Sequence, residues 1–234
     1  MSLLNRRGFT IARGVLAAAC CALLPAAGPV RAQTAPSTAE VAAYTGLPRA
    51  AALGDTAQIR KLLADGANPN GRDAAGRTPL HAAAFGSHYE AVRALVAGGG
   101  DINALENSQY DVITIAAVKD DVRMVKLALE LGGNPGLVTS PYRGTALIAA
   151  AHLGHDGVVQ ALIDAGAPLD HVNNLGWTAL IEAVILGDGG PRHQRTVKAL
   201  IAAGADRAIA DRSGVTPLQH AQRRAYQEMV AALR

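Results

Sequence analysis

Seven histidines, one Asp-Asp pair, two adjacent cysteines and one glycine-rich stretch are the residues of this 234-residue chain that could do chemistry. The histidines are His81, His88, His152, His155, His171, His193 and His220. His152 and His155 stand three apart, a spacing that could bring two imidazoles onto one metal ion. Gly154 breaks the helix between them, however, and no Glu, Asp or further His follows at ligand spacing. Asp120-Asp121 could divide general acid and base work between two carboxyls. They fall between two apolar segments, which reads as a solvated turn; a small hydrolase-like site combining them with His152 is the enzyme alternative. The stretch Gly187-Asp188-Gly189-Gly190-Pro191-Arg192-His193 could offer backbone N–H groups to an anion. It lacks the Lys-Ser/Thr ending and preceding strand of a phosphate-binding loop, so an exposed surface insertion is expected, with partner contact as its functional alternative. No G-x-S-x-G, H-E-x-x-H or dinucleotide fingerprint occurs. The sequence predicts no catalytic residue, no metal and no cofactor.

The cysteines lead to the first 32 residues. Arg6 and Arg7 open a short basic segment, the mildly apolar stretch 14–27 follows, and Val30-Arg31-Ala32 offers small residues for cleavage. Those three parts make an export signal, with cleavage expected after Ala32 and Gln33 as the first mature residue. Asn5-Arg6-Arg7-Gly8-Phe9 resembles a twin-arginine signal, Thr10 departing from the usual apolar residue, and a general-secretion signal is the alternative. Both routes place the mature chain in a bacterial periplasm. The apolar run is too short and Ala-rich for a stable membrane span. Cys20 and Cys21 lie inside this segment, so the mature chain would hold no thiol. A lipoprotein reading needs Leu three residues before Cys20, where Ala17 stands, and leaves a lipid-anchored scaffold as the second reading.

Charge changes meaning with the signal. Lys and Arg number 22 against 19 Asp and Glu, a formal +3. Four of the basic residues and none of the acidic ones precede position 33, so cleavage leaves 18 against 19, net −1. A near-neutral chain with no basic stripe interleaved with aromatics argues against a nucleic-acid partner. Half of the residues are hydrophobic but only 3% are aromatic, so the core must be Ala, Leu, Val and Ile, which suits close helix packing. Residues 33–43, polar and small, carry no periodic apolar pattern and read as a linker.

The remainder repeats. Gly66, Gly99, Gly132, Gly166 and Gly204 are spaced by 33, 33, 34 and 38 residues. Thr78-Pro79-Leu80-His81, Asp111-Val112-Ile113-Thr114, Thr145-Ala146-Leu147-Ile148, Thr178-Ala179-Leu180-Ile181 and Thr216-Pro217-Leu218-Gln219 follow at 33, 34, 33 and 38. Each unit predicts a capped apolar helix, a tight turn, a second helix with apolar residues at helical spacing, and a glycine stop. One unit cannot bury its apolar face, so the units must stack into a solenoid.

At these residues the chain resembles ankyrin repeats. Thr78-Pro79-Leu80-His81-Ala82-Ala83 matches the family's TPLHxA motif, and Gly99-Gly100-Asp101-Ile102-Asn103 resembles its GADVN ending. The resemblance covers residues 44–234 and implies an all-α ankyrin-repeat solenoid of about six helix-turn-helix units with β-hairpin-like tips. The units begin near Tyr44, Gly71, Ala104, Leu137, Val172 and Asp211. It also implies His81 as an inter-repeat hydrogen-bonding residue and a monomer that binds another protein on its concave face. The tip residues carried over are Arg77, Tyr110, Leu175, Trp177 and Val215; those of the first helices are Phe85, Val118, His152, Ile185 and Arg223. Exported bacterial proteins of this layout imply a role in envelope stress or peroxide defence.

Overall fold

The computed structural model describes residues 33–234, so the export signal predicted for residues 1–32 lies outside the described residues. Six helix pairs follow a short helix α1 (Thr38–Ala43): α2 (Gly46–Leu53) with α3 (Thr56–Ala64), α4 (Pro79–Phe85) with α5 (Tyr89–Ala97), and α6 (Val112–Val118) with α7 (Val122–Glu130). The last three are α8 (Ala146–Leu153) with α9 (Asp156–Asp164), α10 (Ala179–Ile185) with α11 (Pro191–Ala202), and α12 (Pro217–Arg223) with α13 (Gln227–Leu233). Each first helix packs on the first helices of its neighbours; second helices do likewise except α5 and α7, which are joined by Tyr89 to Asp121 and Arg93 to Glu130. The tips are hydrogen-bonded turns rather than paired strands; the one β-bridge among the described residues joins Thr139 to Gly144.

Caps set where the first helices begin. Thr145, Thr178 and Thr216 accept from the backbone N–H three residues on, and Asp111 does the same for Thr114 at 2.8 Å. The third unit has therefore lost its threonine without losing its cap. Pro79 and Pro217 occupy first-turn positions where no N–H is needed. Ala83, Ala84, Ala116, Ala117, Ala150 and Ala151 are buried between successive first helices, small enough for close approach. Leu80, Ile113, Leu147 and Leu180 fill the space between first and second helices with at most 1% exposure.

A second device joins the units where each first helix ends. Its last carbonyls lack an intrahelical partner, and a side chain of the following unit reaches back to them. His88 Nε2 lies 3.1 Å from Ala52 O, Lys119 Nζ 3.3 Å from Ala84 O, and His155 Nδ1 2.8 Å from Ala117 O. His193 Nε2 lies 3.0 Å from His152 O, and the Tyr226 hydroxyl 3.0 Å from Gly187 O. Three of the five donors are histidines, and Lys119 and Tyr226 take the equivalent place in the third and last units.

Two expectations change here. The insertion in the fifth unit is not a wholly exposed loop over 187–193. Its extra residues divide between a short turn and an added helical turn, because Pro191 opens α11, which runs for 12 residues where α5, α7 and α9 run for 9. His193 is buried, its ring packed where a Cβ on Gly154 or Gly187 would stand. Arg192, on the added turn, pairs with Asp156 at 3.0 Å and Asp120 at 2.7 Å, and Arg195 also binds Asp156. Burial works against the Asp156 charge, but the two guanidiniums hold its pKa below the usual carboxylate range.

Residues 33–43 likewise hold more than a linker. Ser37 and Glu40 form a reciprocal capping box that starts α1. The helix buries none of its own residues and is tied down by polar contacts: Glu40 to Arg77, and Arg49 Nη1 to Ala42 O at 3.1 Å. The Tyr44 hydroxyl, just beyond it, donates to Asp73.

Candidate partner-binding face

The tips close on a side chain at their first position. Asp73 Oδ1 accepts from the N–H groups of Ala75 and Arg77 at 2.9 and 2.8 Å. Glu106, Asn173 and Asp211 make the equivalent pair of bonds to Ser108 and Tyr110, Leu175 and Trp177, and Ser213 and Val215. This wrapping is shared by the residues before four of the helix caps, Arg77, Tyr110, Trp177 and Val215. Of these, Arg77, Tyr110 and Val215 are buried and offer a partner little surface, against the outward placement expected for them. Arg77 is spent on Asp73 and Glu40. Trp177 and Leu175 are only partly buried.

Adjacent tips are stitched by backbone bonds from Asn107 N to Ala75 O, Ser140 N to Gln109 O and Asn174 N to Tyr142 O, at 2.8–3.0 Å. The fourth tip holds one residue more than its neighbours between the first position, Thr139, and the cap, Thr145. That extra residue pushes Pro141, Tyr142 and Arg143 into solvent, with Ser140 and Arg143 in the left-handed region. Tyr142 was missed by residue-for-residue transfer of the tip positions. Its signal was the longer glycine interval and a Pro-Tyr pair in a turn.

On the first helices, Phe85, Val118 and Ile185 are partly buried while His152 and Arg223 are exposed. The position one residue later is the more exposed: Leu53 (57%), Leu153 and Leu186 all end or follow a first helix. His152 Nδ1 lies 3.4 Å from Glu182 Oε2, and the other Glu182 oxygen accepts from Asn173 Nδ2 at 2.7 Å. His220 faces Asp211 at 2.8 Å.

The chemistry-bearing residues are dispersed by these bonds. His155 turns away from His152 to the Ala117 carbonyl, and His171 to that of Arg143. Asp120 is held by Arg192, while Asp121 caps α7 and accepts from the Tyr89 hydroxyl. The pair is therefore a bonded turn, separate from His152. His81 bridges units as expected: Nδ1 accepts from Thr78 N at 3.0 Å, leaving Nε2–H to donate to Tyr110 O at 3.1 Å. Among the described residues no three of His, Cys, Asp and Glu gather to hold a metal.

Stacked helix pairs, wrapped tips turned to one side and bonds running from unit to unit define a repeat solenoid whose business is to present a surface. A family model described as ankyrin repeats (3 copies) matches residues 47–138 and again 113–207. The ankyrin repeat protein YahD of Escherichia coli (strain K12) is 31% identical over 79% of this chain and 92% of its own length. An ankyrin repeat domain from Acinetobacter baumannii AYE superposes with a TM-score of 0.76 at 40% identity, covering 80% of this chain and 95% of that one. The ankyrin repeat protein EF0377 gives 0.75 at 33% identity, over 81% and 98%. The chain belongs to the ankyrin repeat family, whose repeats mediate protein–protein binding.

Proposed function

We propose that the mature chain is a non-catalytic adaptor of a bacterial periplasm that holds another protein on the face formed by its tips and first helices. One observation carries this reading. The exposed large hydrophobic residues among the described ones are Leu53, Leu153 and Leu186 where first helices end, Tyr142 on a tip and Val172 directly before one. None lies on a second helix. Apolar exposure confined to one side of a solenoid is what an interaction surface requires. The periplasm is supported by the basic, apolar and small-residue segments of positions 1–32, and the envelope-stress or peroxide role by the resemblance alone.

Co-purification from the cell envelope tests the face. Wild type should recover at least one protein that a Trp177→Ala/Tyr142→Ala double mutant does not, with the double mutant's circular dichroism unchanged. Equal recovery with both versions would sink the reading. Mass spectrometry of the same preparation reads the compartment. A chain starting at Gln33 fits the proposal, an acylated Cys20 or Cys21 replaces it with a tethered scaffold, and an intact Met1 removes export.

A further inference from the structure

In the last three units the exposed charges on the tips and first helices are nearly all positive. The second-helix side is mixed, with Arg192, Arg195, Lys198 and Arg207 exposed among its acids. On their tips and first helices the exposed charged residues are Arg143, Arg212, Arg223 and Arg224, with His152 beside them. None of the four arginines has a carboxylate partner: Arg212 donates to Asn174 O, Arg224 to the Tyr226 hydroxyl, and Arg143 and Arg223 make no side-chain bond. The carboxylates of this side, Glu182 and Asp211, are turned inward onto Asn173, His152 and His220. Asp188, in the turn after α10, is bound to His193 and to the N–H of Gly190. The exposed acids Asp164, Asp170, Asp206 and Glu228 sit on second helices or the turns that follow them. The side of tips and first helices thus presents four arginines without a carboxylate partner against one exposed carboxylate, Asp188, which is bound to His193. It carries Tyr142, Trp177, Leu153 and Leu186 as well.

From this sorting, which rests on the adaptor reading above, we infer that the face of units four to six takes an acidic segment of the partner protein carrying apolar side chains. The other end of the same side supplies an internal precedent. There the chain's own α1 lays Glu40 on Arg77, the residue equivalent to Trp177, and holds itself by polar bonds without burying a residue. A carboxylate from a neighbouring segment is what this row of tips accepts from its own chain. Arginine and aromatic side chains are also the residues that anchor interfaces, and unpaired exposed charge steers an oppositely charged partner.

Panning displayed libraries of short random peptides on the purified protein tests the inference. Enriched peptides should combine Asp or Glu with Trp, Leu or Phe. Their affinity should fall about tenfold in the exposed pair Arg143→Glu/Arg223→Glu and weaken as salt rises. A neutral or basic consensus, no enrichment, or binding indifferent to the charge reversal overturns it. If binding survives reversal but is lost in Trp177→Ala/Tyr142→Ala, the adaptor face stands without its acid preference. If neither pair of changes matters, both readings fall. Displacement of the peptides by an oligothymidine strand would assign the arginines to nucleic acid and also overturn the inference.

Discussion

Leu147→Ala should cost the protein about 3 kcal/mol, within the ~2–5 range for truncating a buried leucine. The melting temperature should fall by roughly 6–12 °C for a chain of this size. Leu147 is fully buried in α8, which packs on α6, α9 and α10, so one side chain serves its own unit and both neighbours. In a solenoid there is no distant core to compensate, since each unit is stabilised by the two it touches. Denaturant unfolding followed by circular dichroism measures the loss. Leu153→Ala, six residues along the same helix but solvent-exposed, should leave the midpoint unchanged. Equal effects of the two changes would mean that the assigned register of α8 is wrong.

Acid should weaken the fold through His81. Burial pushes its pKa down to about 4, because the ring lies between Thr78 and the Tyr110 carbonyl with no exposed surface. An unfolded histidine takes up its proton near 6.5. Between those values the unfolded chain binds more protons, so the stability is complete above pH 6.5 and declines as pH falls toward 4. The limiting loss is about 3 kcal/mol. His81→Gln removes the titration while keeping the cap, as Gln219 shows at the same place in the last unit by accepting from Thr216 N at 2.9 Å. Wild type should therefore lose about 3 kcal/mol more than His81→Gln between pH 7 and pH 4; parallel curves would exclude a buried neutral His81. Asp111 runs the other way, since burial raises its pKa and acid favours its folded form. It is common to both proteins and cancels in the difference.

The unit boundaries were legible because backbone geometry leaves little choice of residue. Gly66, Gly99, Gly132, Gly166 and Gly204 all adopt the left-handed conformation that ends a helix, where a Cβ is penalised. The outward or inward aim of the tips was harder to read. Position within the repeat suggested that Arg77, Tyr110 and Trp177 were equivalent and presented outward. A carboxylate or amide five residues before the cap wraps all three tips, yet Arg77 and Tyr110 are buried and Trp177 only partly so. Asp73, Glu106, Asn173 and Asp211 carried the signal for the wrapping in plain view. The helix at Thr38–Ala43 was announced by Ser37-Thr38-Ala39-Glu40, a capping-box spacing. It escaped a search for apolar periodicity because a helix that buries nothing has no apolar face to show.

Arg192 has a consequence for the proposed binding face. The other bonds between units join immediate neighbours, whereas its guanidinium holds Asp120 and Asp156 at once and so splints three successive units. Exposed ion pairs of this kind add little stability, each worth under about 1 kcal/mol. Their expected effect is on flexure, since one side chain bonded to two other units limits how far the third and fifth units can move apart. Tyr142, Leu153 and Trp177 lie within that splinted length, so their relative placement is preset. A partner docking there forfeits less entropy than it would on the unsplinted end of the row. The insertion thus acts as a brace, joining three units from the first turn of α11.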